Sequence, residues 1–93
     1  LILSGRNIAA LEAVANNTDA FVLPFDVTDR QANLNAAKTL LEKFGSVDTV
    51  ILNAGSCEYV DVHHFESAIF ENMMKTNFLS MIYGIEASLP LLR

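Results

Sequence analysis

The chain has 93 residues, 52% hydrophobic and 18% charged, with a formal net charge of −5. That length suits one small domain, and so apolar a balance is what strands buried on both faces produce. Six scattered basic residues (Arg6, Arg30, Lys38, Lys43, Lys75 and Arg93) speak against a nucleic-acid partner, which needs clustered cations, and the single Cys57 excludes an internal disulfide and gives no zinc pattern.

The elements follow in chain order. Residues 1–3 read as the tail of a strand, and Ser4-Gly5-Arg6-Asn7 turns the chain. Ile8, Leu11 and Val14 mark the apolar side of a short helix with Asn7 as its cap. Residues 16–19, Asn-Asn-Thr-Asp, carry turn chemistry. Residues 20–25 form a second strand, placed at or near a sheet edge by Pro24, which has no amide hydrogen for a ladder. Thr28 or Asp29 caps a helix to Phe44, with Leu34, Ala37, Leu40, Leu41 and Phe44 at helical spacing and Gly45 as its stop. Residues 47–53 hold a third strand, 54–65 a loop, and 66–89 a long helix. Phe70, Met73, Met74, Asn77, Phe78, Met81, Ile82 and Ile85 give that helix a wide apolar face, and Pro90 ends or bends it.

Strands alternating with helices imply an α/β fold with a parallel sheet and right-handed crossovers. No stretch is long and apolar enough to predict a membrane span. Both chain ends read as cuts within a larger domain, since the sequence opens inside an apolar run. A reducing, cytoplasmic setting fits the lone cysteine.

The most informative stretch is Thr49-Val50-Ile51-Leu52-Asn53-Ala54-Gly55. It reads as a buried strand running into a turn where backbone must come close to something. Asp26-Val27-Thr28 ends the preceding strand in the same way. In open α/β sheets, ligands sit just beyond the carboxyl ends of strands. A nucleotide-binding half-fold is therefore the leading idea.

These residues, together with Asn77 in the last helix, Ser-Gly-Arg-Asn after the first strand and Leu-Pro-Leu-Leu near the end, resemble the short-chain dehydrogenase/reductase family in its single-domain branch. The resemblance covers essentially the whole chain. It implies a partial Rossmann-like, doubly wound parallel sheet: the family's strands 2, 3 and 4, with the central first strand missing. It implies that Asp26 accepts a hydrogen bond from the adenine amino group and that the Val27 backbone contacts the same ring. Asn53, Ala54 and Gly55 would line the adenosine ribose. Asn77 would be the one catalytic residue present, holding a water of the proton relay through its main chain.

Arg6 is the clue to cofactor choice. By resemblance it follows the strand that ends at the adenosine ribose, where NAD-preferring members place an Asp. A guanidinium instead offers a planar fork to a 2′-phosphate. The expectation is NADP, with NAD possible. A solvated arginine is the plainer reading.

The family's glycine-rich pyrophosphate loop is not among these residues: Gly5, Gly45, Gly55 and Gly84 lie too far apart to make it. The Tyr-x-x-x-Lys pair is absent as well, because His63 stands four residues after Tyr59 and Ala87 four after Tyr83. Without the central strand, a gap of about twice the ~4.8 Å strand spacing should separate the first strand from the third, with unpaired backbone on both sides. The segment alone is expected to be unstable and inactive, and its parent to transfer a hydride between NADP(H) and a small carbonyl or alcohol. Two rival classes are a non-catalytic NAD(P)-binding sensor and a scaffold that works through the last helix. That helix could pair with a second copy in a homo-oligomer or simply cover the sheet. His63-His64, with Glu58 and Asp61 nearby, suggests a metal, but adjacent side chains diverge and a loop entering a helix is the better reading. Cys57 has no evident base to make it a nucleophile.

Overall fold

The computed structural model describes residues 1–16, 18–57, 59 and 61–92. Asn17 of the expected turn, Glu58 beside the histidines, Val60 and Arg93 lie outside the described residues. Strand β1 (Ile2–Leu3) pairs in parallel with β2 (Phe21–Val22), in the register Ile2 to Phe21 and Leu3 to Val22. Helix α1 (Ile8–Ala15) makes the crossover, its first turn capped by Asn7, whose side chain accepts from the Ala10 amide. The pairing continues beyond the two short strands. The amides of Phe21, Leu23 and Phe25 donate to the carbonyls of Leu1, Leu3 and Gly5. In a parallel ladder alternate residues bond to opposite sides. Pro24 therefore falls where its missing amide hydrogen would face away from β1, and no bond of this pair is lost.

Helix α2 (Arg30–Phe44) is capped by Asp29 rather than Thr28: the Asp29 carboxylate accepts from the Ala32 amide. It stops at Gly45, whose φ of 80° suits a residue without Cβ and whose amide bonds to the Leu41 carbonyl. Phe44 meets Phe21 of β2 edge to face at 5.6 Å, with the Lys43 ammonium 4.9 Å from the centre of the Phe21 ring.

The expected third strand over 47–53 is corrected. Val47 forms an isolated parallel bridge with Leu92, and residues 49–57 take no regular secondary structure. A strand exists only through its neighbours, and the β1 side of this segment is a cleft rather than a strand. The long helix is present, running without a break from Ser67 to Leu91, but it is not uniform. Its path comprises α3 (Ser67–Met74), a π turn (Lys75–Leu79), α4 (Ser80–Ser88) and a 3₁₀ turn (Leu89–Leu91) that contains Pro90.

The apolar face expected of that helix is not what it buries. Phe70, Met74, Phe78, Met81, Ile82 and Ile85 are all exposed, Met74 at 56% and Phe78 at 52%. The buried positions are Ser80, Gly84, Ala87 and Leu91, a stripe of mostly small residues at helical spacing. Small side chains let α4 approach closely: a Cβ on Gly84 would lie 2.7 Å from Leu52 Cδ2. Helices α2 and α4 are also joined at the surface, where the Arg30 guanidinium grips the Glu86 carboxylate through Nε at 2.8 Å and a second nitrogen at 3.1 Å. The radius of gyration is 15.2 Å, against about 12 Å for a compact chain of this length. The excess reflects an open molecule, split by the cleft between β1 and residues 49–55.

Candidate functional site

The cleft has a volume of about 520 Å³. Arg6, Asp26, Val27, Asn53, Ala54 and Gly55 all line it. The ends of β1 and β2 and the segment leading to Gly55 thus meet at one opening, although they come from widely separated parts of the chain. The stretch around Asn53 arrives there without strand structure, so position rather than regular geometry brings the three together.

Asp26 is locked by its own turn. One carboxylate oxygen accepts from the Thr28 amide at 2.9 Å and from the Thr28 hydroxyl at 2.7 Å. These bonds, the hydroxyl's first, hold the carboxyl below its ordinary 3.8, and the fields of Arg6 and Lys75 act in the same direction. The group is therefore an anion at neutral pH, and its second oxygen is available as an acceptor. Arg6, at the end of β1, is exposed beside it.

Val27 is held from beneath by a residue the sequence reading passed over. Buried Asn33, in the first turns of α2, donates through its amide nitrogen to the Val27 carbonyl at 3.0 Å and to the Asp29 carbonyl at 2.8 Å. One signal could have found it: an Asn inside a helix, four residues after an Asp cap, is poor helix material and needs a reason to be there.

Asn77 does not line the cleft. It braces the wall from behind. From the π turn its side-chain carbonyl accepts from the Ser56 amide at 2.6 Å, and its amide nitrogen donates to the Ser56 carbonyl at 2.9 Å. A side-chain amide here takes the place of one rung of a sheet. The same oxygen would lie 3.2 Å from a Cβ on Gly55. That closeness explains why a glycine ends the Asn-Ala-Gly turn. Single π turns inside helices are rare and concentrate at functional sites.

The other candidates lie apart. Asp61 caps a 3₁₀ turn (Val62–His64), accepting from the His63 amide and lying 3.2 Å from His64 Nδ1. All three residues are exposed. Cys57 is an exposed free thiol. Among the described residues no helix is long and apolar enough to cross a membrane.

The comparisons agree with this architecture. The family model described as short chain dehydrogenase matches residues 1–93. An uncharacterized oxidoreductase of Listeria monocytogenes is 30% identical over 97% of this chain and 38% of its own length. The mouse dehydrogenase/reductase SDR family member 7 is 27% identical over 97% of the chain and 29% of its own length. Among solved structures, an alcohol dehydrogenase from the archaeon Thermococcus sibiricus, complexed with 5-hydroxy-NADP, superposes with a TM-score of 0.87 at 27% identity. That match covers 98% of this chain and 41% of the archaeal one. A short-chain dehydrogenase/reductase from Brucella melitensis reaches 0.90 over 100% of this chain and 41% of its own, and at 18% identity it speaks for the fold alone. The chain belongs to the short-chain dehydrogenase family, and its fold is a partial Rossmann-like α/β fold. It spans well under half the length of the relatives named here.

Proposed function

We propose that this chain is the adenosine-binding part of an NADP-dependent oxidoreductase, which transfers a hydride between the nicotinamide and a small carbonyl or alcohol substrate. One observation carries the reading: Arg6, Asp26, Val27, Asn53, Ala54 and Gly55 line a single cleft at the strand ends. An anionic Asp26 with one free oxygen suits the adenine amino group, and the exposed Arg6 suits a 2′-phosphate. The archaeal relative bound to an NADP derivative supports the choice of cofactor. When bound, the cofactor supplies the hydride. This chain's residues hold its adenosine end, and Asn77 keeps the wall after Gly55 in place. Asn77 also fits the relay position that the family resemblance gives its main chain.

In this reading the 93 residues alone are inactive, because no Tyr-x-x-x-Lys pair is among them. The exposed apolar stripe from Phe70 to Ile85 supports a homo-oligomer built through that helix, and the free Cys57 suits a reducing cytoplasm. The test is binding of NADPH and NADH, by titration calorimetry, to a polypeptide of the relatives' length that carries this segment. Arg6→Ala should weaken NADPH binding at least ten-fold more than NADH binding, about the 1.4 kcal/mol worth of one charge-assisted contact. Equal losses for both cofactors would overturn the NADP assignment, and no binding of either would overturn the nucleotide reading itself.

A further inference from the structure

We propose that buried Asn33 is a positioning residue for the base: by holding one end of the peptide group between Val27 and Thr28 it aims the Asp26 carboxylate, and so makes the cleft select a purine with an amino group at C6 over one with an oxo group there. The proposal rests on the nucleotide reading and deepens it, naming what sets the base selectivity of that site. A peptide group is planar, and in the trans form its C=O and N–H point in opposite directions. The group between Val27 and Thr28 is gripped at both ends. Its oxygen accepts from the Asn33 side-chain nitrogen at 3.0 Å, and its N–H donates to one Asp26 carboxylate oxygen at 2.9 Å. Asn33 thus bears on Asp26 through a single rigid plate.

The turn alone leaves this plate free to tilt. The Asp29 amide donates to the Asp26 carbonyl at 3.1 Å, which closes a four-residue turn with that peptide group at its centre. The central peptide is the one that rotates when turns of this class interconvert. A full flip would drive Thr28 to positive φ, which a β-branched residue resists. Smaller rotations are opposed by the two bonds at the plate's ends. Asn33 serves as a fixed point because it is itself fixed. It is 4% exposed, and its side-chain nitrogen also donates to the Asp29 carbonyl at 2.8 Å, so both of its amide hydrogens are spent on the turn. What the plate aims is a pair of groups that can read a base. Asp26 keeps one carboxylate oxygen as an acceptor, and the adjacent Val27 amide has no partner among the described residues. An acceptor beside a donor matches the edge of a 6-aminopurine, whose amino group donates and whose ring nitrogen N1 accepts. A 6-oxopurine presents the reverse order, a carbonyl at C6 and an N–H at N1.

The test uses a polypeptide of the relatives' length that carries this segment. Titration calorimetry compares NADPH with its hypoxanthine analogue, in which an oxo group replaces the amino group. The unsubstituted protein should prefer NADPH at least about ten-fold, because the analogue sets acceptor against acceptor and donor against donor. Asn33→Ala should cut that preference to about three-fold or less by weakening NADPH alone, with the analogue's affinity changing less than about two-fold. A residue that merely held the fold would weaken both ligands alike. Asn33→Gln keeps a carboxamide and should restore part of the preference. A measurement on the unsubstituted protein does not depend on how the variants fold. By linkage, saturating NADPH should slow hydrogen exchange of the Thr28 amide and the Asn33 side-chain amide at least about three-fold more than the saturating analogue does. An unchanged preference in Asn33→Ala, equal losses for both ligands, or equal protection by both would overturn the proposal and leave nucleotide binding intact. No binding of either ligand to the unsubstituted protein would overturn the nucleotide reading and this proposal together.

Discussion

Replacing Gly84 by Ala tests the close approach of α4 to Leu52. The new Cβ would lie 2.7 Å from Leu52 Cδ2 and 3.4 Å from Cδ1, where carbon atoms normally rest about 3.5–4.0 Å apart. Two effects oppose each other. Alanine stabilises a helix interior by about 1 kcal/mol relative to glycine. Overpacking a close contact typically costs about 1–3 kcal/mol. Leu52 is 37% exposed, so its side chain can partly withdraw, and the net expectation is a loss of about 0–2 kcal/mol. Truncating Leu52 separates the two. In a Leu52→Ala background the obstruction is gone, and Gly84→Ala should then stabilise by the full propensity term of about 1 kcal/mol. Urea denaturation of the four species of this double-mutant cycle gives a coupling energy, expected near 1–3 kcal/mol. If Gly84→Ala stabilises both backgrounds by the same amount, Leu52 does not sit on α4, and the placement of residues 49–55 is wrong.

Asn77→Ala should raise the exchange rate of the Ser56 amide at least ten-fold, measured by hydrogen exchange, because both of its bonds to Ser56 are lost. Asn77→Asp keeps the acceptor but sets a carboxylate oxygen against the Ser56 carbonyl, and should restore little of that protection. Buried Asn33→Leu leaves the Val27 and Asp29 carbonyls without their donor and should destabilise by about 1–3 kcal/mol in urea denaturation. Because the folded pKa of Asp26 is depressed, its contribution to stability is complete above the ordinary carboxylate value and is lost as pH falls through the lowered one. Thr28→Val should move that loss to higher pH, followed by carboxyl NMR titration; an unmoved titration would exclude the hydroxyl as the main cause. Arg30→Ala should lower the melting temperature slightly at low salt and not at about 1 M salt, where screening is nearly complete.

What the sequence disclosed followed from local rules. Asn7, Asp29 and Gly45 end helices because their chemistry suits the ends, and no distant residue is needed to say so. Arg6, Asp26 and Asn53 were expected together as three strand tips; they do line one cleft, but Asn53 reaches it without being a strand end. Residues 47–53 misled because their β-rich composition describes a strand with neighbours, and the neighbour on the β1 side is a gap. The last helix misled for another reason. Large apolar residues mark what can be buried, whereas Ser80, Gly84 and Ala87 mark how closely a helix can approach, and here approach decided which face turned inward. The π turn at Lys75–Leu79 escaped notice because it changes the helical phase without changing composition.

Two asparagines carry the same argument from opposite sides of the cleft. Asn33 projects from α2 to hold the turn at Val27, and Asn77 projects from the π turn to hold Ser56. Each pays the helix penalty of an amide side chain and satisfies it on the backbone of a loop. With only two short strands in the sheet, a ladder cannot fix the loops that follow them. The helices fix them instead, through side-chain amides that imitate peptide groups. The walls of the cleft should therefore move with α2 and with the π turn rather than with each other.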